Sequence, residues 1–257
     1  MKQMDVLLSY LSPVADETLT HGVDDLVRIA EGRAEILGLY VFGSRGRDFM
    51  VDERSDWDVC VVLRDEDARQ VFDAEFPYVH GAEVEIVSTT LAELRNASSE
   101  HGRYAAAHAR VVVDKTDGEL GRIVADAESL PAGSRDAVVR EALDGYINQL
   151  YRSLRYGTRL DAAESVPHAL RTIFALGRRV RPYNKYLEWE LRHHPLDRWD
   201  ADMLLPLLDR VLSGEAGAQR ELFNLIEAAA RTAGFGDVVD GWEPDVDWLR
   251  GVAEYRA

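Results

Sequence analysis

The sequence predicts an α/β domain in the first half of the chain and an all-α helical domain in the second half. Up to about residue 130, short apolar runs typical of buried strands alternate with helical patterns. Beyond the segment Pro131-Ala132-Gly133-Ser134, the spacing of apolar residues is helical throughout. That segment is rich in residues that interrupt regular structure, so we expect domains of residues 1–130 and 131–257.

Four runs in the first domain are predicted strands: Leu37–Phe42, Trp57–Leu63, Glu83–Val87 and Arg110–Val113. A helical pattern from Asp16 to Ile36 leads into the first strand. Another helix is expected from Asp65 to Phe76, where Pro77 ends it. Thr90 and Glu93 have the spacing of a capping box, which predicts one more helix start.

In the second domain, Ser134 is the expected N-cap of a long helix that carries Val139, Leu143 and Ile147 at helical spacing. Further helices are predicted at Val166–Arg179, Asn184–Arg192, Ala201–Leu212 and Ala216–Ala230. The end of the chain, Gly234–Ala257, is rich in Asp, Gly and Trp, and we assign no element to it.

Charge and cysteine content narrow the class of protein. The formal net charge of −16 disfavours general nucleic-acid binding and attracts a cationic small molecule, although an acidic surface is equally typical of a soluble protein. The only cysteine, Cys60, is predicted inside a strand, which excludes an internal disulfide and favours the cytoplasm. No apolar run predicts a membrane span, and residues 1–17 predict an amphipathic helix rather than a signal peptide.

Two short motifs carry the chemistry: Gly43-Ser44 after the first strand, and Asp56-Trp57-Asp58 at the start of the second. Gly43 permits a tight turn, and Ser44 offers a hydroxyl and an amide where a phosphate could bind. Because side chains alternate along a strand, Asp56 and Asp58 share one face. Two carboxylates beside a phosphate cradle suit a hard divalent cation such as Mg²⁺.

This order of motifs resembles the nucleotidyltransferase superfamily of DNA polymerase β type, whose signature is an apolar strand, Gly-Ser and then Asp-x-Asp on the next strand. The resemblance implies a mixed sheet and a third carboxylate on a later strand. The segment AEVEIVS contains Glu83 and Glu85, and its Val-Glu-Ile pattern favours Glu85 as the metal ligand. Glu83, on the same predicted face, is then the candidate general base. The exchanged roles, or a merely exposed acid, stay open.

The resemblance implies transfer of a nucleoside monophosphate, AMP from ATP, to a hydroxyl. Asp56 and Asp58 would hold two Mg²⁺ ions, and Glu85 would complete the shell on the acceptor side. Gly43 and Ser44 would bind the β- and γ-phosphates. Arg45 is a candidate phosphate contact, and its alternative is a solvated arginine.

The two-domain layout resembles the aminoglycoside nucleotidyltransferases, in which the helical domain closes the cleft and adds basic residues to the triphosphate. The basic, aromatic segment Arg178–Leu191 matches that role, with Lys185 as the first candidate for a phosphate contact. The alternative is that its bases pair with Glu188 and Glu190 at helical spacing. The resemblance implies a cationic, aminoglycoside-like acceptor and a role in antibiotic resistance, in a monomer or a homodimer.

Two other functions stay open. One is adenylylation of a protein or of tRNA, as in the minimal nucleotidyltransferases of toxin–antitoxin pairs; the net charge argues against tRNA but not against protein. The other is a catalytically silent protein with this fold that acts as a binding partner. The presence of all the motif residues argues against a silent protein.

Overall fold

The structure, a computed structural model, describes residues 22–53, 55–97 and 99–255. The amphipathic helix expected in residues 1–17, and the start of the helix expected from Asp16, lie outside the described residues. The centre of the N-terminal part is a four-stranded sheet of β1 (Ile36–Phe42), β2 (Trp57–Leu63), β3 (Val84–Thr90) and β4 (Arg110–Asp114).

The sheet is mixed, as the sequence predicts. Its strand order is β3-β2-β1-β4; β1 pairs antiparallel with both β2 and β4, whereas β2 and β3 are parallel. Residues of β1 and β2 are buried on both faces, which explains their nearly unbroken apolar sequences. The parallel pairing matters most for function, because it places side chains of equal register side by side on one face.

Between residues 22 and 130, the described residues form six helices beside the strands: α1 (Val23–Gly32), α2 (Gly43–Arg47), α3 (Glu66–Glu75), α4 (Leu91–Arg95), α5 (Glu100–Ala106) and α6 (Glu119–Asp126). The capping box predicted at Thr90 is confirmed, since both of its hydrogen bonds with Glu93 form at the start of α4. The sequence did not predict α5 and α6, which are too short to show a strong helical period.

The C-terminal region is helical, as predicted, and consists of α7 (Arg135–Tyr156), α8 (Arg159–Leu176), a 3₁₀ turn (Asn184–Tyr186), α9 (Leu187–His193), α10 (Ala201–Leu212), α11 (Ala216–Thr232), α12 (Gly236–Asp240) and α13 (Val246–Arg250). The predicted bounds of α8 were wrong: it begins well before Val166 because the Thr158 hydroxyl accepts from the Asp161 N–H, and Pro167 lies inside it. Ser134 occupies the N-cap of α7, but its hydroxyl donates to the Pro131 carbonyl instead of capping the helix.

Described residues of both halves share one hydrophobic core. The face of the sheet that carries Tyr40, Cys60 and Val62 packs into the same cluster as Leu143 and Ile147 of α7. The opposite face packs against α1 and α3 in a smaller cluster. The helical region therefore rests directly on the sheet, and the boundary between residues 130 and 131 stays a prediction. Of the described helices, none combines the length and the apolar character that crossing a bilayer requires.

Replacing Ile147, which is fully buried in the shared core, by Ala is expected to lower the free energy of unfolding by about 2–5 kcal/mol. Because the core is continuous, urea transitions followed by tryptophan fluorescence and by far-UV circular dichroism should shift together. Asn148→Ala, on the exposed side of the same helix, is the control and should change stability by less than about 0.5 kcal/mol. Two separate transitions, only one of which moves, would contradict the shared core.

Candidate active site

Three carboxylates converge at the edge of the sheet where β2 and β3 begin. Asp58 lies in parallel register with Glu85, so both side chains stand on the same face of the sheet. Asp56 precedes β2, and its carboxylate joins them: one oxygen from each of the three residues lies within 4.8 Å of the others. The structure thus brings together the three residues that the sequence predicts as metal ligands.

Gly43 permits the close approach of the first strand to this cluster. Its φ of +65° lies in the left-handed region, and a Cβ built there would overlap the Asp58 carboxylate, 2.7 Å from its carbon. Any other residue at this position would combine backbone strain with a collision. The glycine of the Gly43-Ser44 motif is therefore required both for the turn and for the position of Asp58.

The cluster is electrostatically strained. The pKa of Asp58 is raised to about 6, first by burial and then by repulsion from the Asp56 and Glu85 carboxylates. The positive charges of Lys185 and Arg47 oppose this rise. Two cations, from opposite halves of the chain, therefore lie close enough to act on the acidic cluster.

Glu85 is held by a loop between α3 and β3 that the sequence analysis did not single out. The Tyr78 hydroxyl donates to Oε2 of Glu85 at 2.9 Å, and the Gly81 N–H donates to Oε1 at 2.6 Å. Nδ1 of His80 lies 3.2 Å from the same Oε1. Burial and this hydrogen bond raise the pKa of Tyr78. The carboxylate of Glu85 is thus oriented before any cation binds.

Glu83 lies outside the group of three converging carboxylates. It precedes β3, and its carbonyl accepts the Trp57 N–H at 2.9 Å. It lines a surface cavity together with Trp57 and Val84, which pack on the face of the sheet opposite Asp58. Its role as a base stays a prediction.

Ser44 and Lys185, which are predicted as phosphate contacts, both lie beside Tyr186. The Ser44 and Tyr186 hydroxyl oxygens are 3.3 Å apart, and Nζ of Lys185 lies 4.7 Å from the centre of the Tyr186 ring. Arg179 of the basic segment forms an ion pair with Glu190, but the two residues are 11 positions apart and not at the helical spacing that the alternative expected. Lys185 is exposed and lies near the acidic cluster instead.

Arg45 supports the loop before β2. Its guanidinium donates to the carbonyls of Ser55 at 2.7 Å and of Asp56 at 3.2 Å, and it lies 4.7 Å from the centre of the Trp57 ring. These contacts hold the backbone that carries Asp56. The predicted contact between Arg45 and a phosphate stays a prediction.

Arg47 is a residue near the cluster that the sequence did not distinguish from its neighbouring arginines. Only 7% of it is exposed, and its guanidinium carbon lies 4.8 and 4.6 Å from the centres of the Tyr104 and Tyr186 rings, which are themselves 6.3 Å apart. It donates to the carbonyls of Gly43 and Ala107, at 3.2 and 2.7 Å. A buried positive charge therefore lies directly behind the Gly43-Ser44 turn.

A second group with metal-ligand chemistry consists of His108, Glu128 and His194, whose ligand atoms also lie within 4.8 Å of one another. Here Arg179 supplies the positive charge: it pairs with Glu190, donates to the His194 carbonyl and lies 3.8 Å from the Glu128 carboxylate. Burial lowers the pKa of His108 to about 4. We therefore interpret this group as a packed contact between the two halves of the chain.

Comparison with known proteins agrees with this geometry. Residues 23–142 match the family model of the nucleotidyltransferase domain. Among solved structures, one match is a nucleotidyltransferase-like protein from Exiguobacterium sibiricum; it is 12% identical, the match covers 86% of this chain and 81% of that one, and the TM-score is 0.40. No curated protein sequence matches the chain significantly. The converging carboxylates lie inside the region that matches the family model, and residues 23–142 are therefore identified as a nucleotidyltransferase domain.

Proposed function

We propose that this protein transfers a nucleoside monophosphate, AMP from ATP, to a hydroxyl of a small cationic acceptor. The observation that carries the proposal is the convergence of Asp56, Asp58 and Glu85 beside the positive charges of Arg47 and Lys185. The domain family supports nucleotidyl transfer in general. The family model does not specify the nucleotide, the metal ion or the acceptor.

The residues present fit Mg²⁺. All three side chains offer carboxylate oxygens, which hard cations prefer, and their spacing within 4.8 Å is close to the roughly 4.2 Å between opposite ligands of one Mg²⁺. Burial, and then the neighbouring Asp56 and Glu85 carboxylates, raise the pKa of Asp58, and a bound cation would stabilise its charged form. Asp56, Asp58 and Glu85 would hold the ions, which when bound neutralise charge on the phosphates and activate the acceptor oxygen.

The reaction is an in-line displacement at the α-phosphorus of the triphosphate. The acceptor oxygen forms a new bond to that phosphorus, and the bond to the oxygen that bridges to the β-phosphate breaks, so that pyrophosphate leaves. Ser44 and Lys185 would hold the β- and γ-phosphates, and buried Arg47 would add positive charge behind them. Glu83 is the proposed acceptor of the hydroxyl proton because it lies two residues before Glu85, the spacing that places side chains on one face of a strand.

A cationic, aminoglycoside-like polyol is the proposed acceptor. The chain carries a net charge of −16, and acidic side chains surround the position at which the acceptor hydroxyl must lie. Such a field concentrates a polycation near the site and repels a nucleic-acid backbone. The family description itself specifies no acceptor.

Incubation with ATP, Mg²⁺ and a panel of aminoglycosides is expected to release pyrophosphate with at least one drug. Asp56→Asn should reduce the rate at least about a hundredfold, because it removes one of three carboxylates that converge on the metal. Asp67→Asn, an exposed aspartate on α3, is the matched control and should leave the rate unchanged. Pyrophosphate release and mass spectrometry of the acceptor are the two measurements.

If no drug of the panel causes pyrophosphate release although ATP·Mg²⁺ binds, the proposal of a small cationic acceptor is contradicted. The next assay would then test protein hydroxyls as acceptors. Equal rates for Asp56→Asn and the wild type would contradict the assignment of the site itself.

Asp58→Asn is expected to stabilise the metal-free protein at pH 7, on the order of 1–2 kcal/mol after discounting for partial exposure, while abolishing transfer. The folded-state pKa is raised from 3.8 to about 6, so the Asp58 charge destabilises the fold above pH 6. This penalty falls as the pH drops through 6 and is gone below about 4. Urea unfolding of both proteins without metal, at pH 7.5 and at pH 3.5–4, measures the difference; equal stability at pH 7.5 would contradict the strained cluster.

Gly43→Ala is expected to abolish Mg²⁺-dependent binding of ATP, because the added methyl group displaces the Asp58 carboxylate. Gly157→Ala is the matched control: its φ of +68° is nearly the same, but a Cβ there meets no atom within 4 Å. Both variants should lose about 1–3 kcal/mol of stability from backbone strain. Only Gly43→Ala should lose binding in titration calorimetry, and equal affinity in the two variants would contradict the role of Gly43.

A further inference from the structure

Glu190 is the most deeply buried carboxylate at the junction between the two halves of the chain. Only 1% of it is exposed, and a buried carboxylate is costly unless charged or polar donors surround it. Two of its partners come from the N-terminal half: the Tyr104 hydroxyl donates to Oε2 at 2.8 Å, and Nε2 of His108 lies 3.2 Å from Oε1. The third partner, Arg179, comes from the helical half. The carboxylate therefore joins the halves at one point.

The position of Glu190 along the chain connects this junction to the residues near the acidic cluster. It lies on α9, which directly continues the 3₁₀ turn that contains Lys185 and Tyr186. The Tyr186 hydroxyl reaches Ser44, and Lys185 acts on the charge of Asp58. Fixing α9 through Glu190 thereby fixes where the turn presents Lys185.

Tyr104 contacts both Glu190 and Arg47. Its hydroxyl binds Glu190, and its ring packs against the guanidinium of Arg47, which also contacts the ring of Tyr186; the centres of the two rings are 6.3 Å apart. Tyr104, Arg47 and Tyr186 therefore form one packed cluster that joins α5 to the turn that carries Lys185. These contacts join the N-terminal half to the basic segment without involving an atom of the acidic cluster.

We propose that Tyr104 and Glu190 are positioning residues, which hold Lys185 where it contacts the triphosphate. The inference rests on the proposed function, since it assigns to Lys185 a nucleotide contact. A hydrogen bond that served stability alone would leave the affinity for the nucleotide unchanged once the protein is folded.

The test is the dissociation constant of ATP·Mg²⁺, measured by titration calorimetry on the full chain. Lys185→Ala should weaken binding at least about tenfold, because a charged contact to a phosphate is lost. Tyr104→Phe keeps the ring and removes the hydroxyl, and should weaken binding about threefold to tenfold. Glu190→Gln should act in the same direction.

A double-mutant cycle distinguishes positioning from an independent effect. If Tyr104 acts through Lys185, then Tyr104→Phe in the Lys185→Ala background should change the affinity less than about twofold. An equal loss in both backgrounds, or no loss in the wild-type background, would overturn the inference. An unchanged affinity in Lys185→Ala would overturn it as well.

Two matched controls separate positioning from general loss of stability. Tyr146→Phe removes a buried tyrosine hydroxyl that makes no hydrogen bond among the described residues. Glu227→Gln removes a buried carboxylate that pairs with Arg231 and Arg250 inside the helical region. Both should keep the wild-type affinity at a temperature where they are folded, and a loss equal to that of Glu190→Gln would overturn the inference.

The outcome for the wild type separates the two proposals. If wild-type protein binds ATP·Mg²⁺ but the double-mutant cycle shows no coupling between Tyr104 and Lys185, the positioning role is wrong while the proposed function stands. Absence of binding by the wild type would overturn the proposed function and this inference together.

Discussion

Repulsion among three carboxylates is the constraint on which the acidic cluster of the N-terminal half depends. The parallel pairing of β2 and β3 places Asp58 beside Glu85, and the missing side chain of Gly43 lets the first strand approach Asp58 closely. Burial raises the pKa of Asp58 first, and repulsion from the Asp56 and Glu85 carboxylates raises it further. A site organised for stability alone would separate the charges. Under the proposed function, the cluster lowers the metal-free stability so that a cation can bind, a common conflict between stability and function.

The surrounding structure keeps the repelling groups in place. Tyr78 and the Gly81 N–H orient Glu85, and Arg45 holds the carbonyls of the loop that carries Asp56. On the other side, buried Arg47 and exposed Lys185 contribute positive charge, one from each half of the chain. Because Lys185 comes from beyond α8, the proposed function makes the helical region part of the site.

The parts of the site that follow from local spacing could be predicted from the sequence. Gly43-Ser44, Asp56-x-Asp58 and Glu85 lie on or next to strands whose apolar sequences are distinctive. Alternation predicts that Asp56 and Asp58 share one face, and the resemblance to the nucleotidyltransferase superfamily adds Glu85 as the third carboxylate. The C-terminal helices α10 and α11 were recognised for the same reason, since their apolar residues recur with a helical period. Short elements such as α5 and α6 have too few residues for a period to stand out.

Contacts between distant segments could not be predicted in this way. Tyr104 and Glu190 are separated by 86 positions, and nothing in either local sequence indicates the other. Arg47 stands among several arginines, and only its contacts with the Tyr104 and Tyr186 rings distinguish it from Arg45, which lies on the Trp57 ring. The long-range contacts that form the basic side of the site depend on how the helical half packs on the sheet, which no single-sequence pattern encodes.

The strongly acidic character of the chain has a further consequence under the proposed function. A net charge of −16 repels ATP at long range, but ionic strength limits that repulsion to about 8 Å, inside which Arg47 and Lys185 act. The same field attracts a polycationic acceptor. Transfer of AMP adds a phosphodiester, which carries one negative charge and lowers the net positive charge of the acceptor. An acidic cleft therefore binds the product less tightly than the substrate, so that one electrostatic field favours both capture of the acceptor and release of the product.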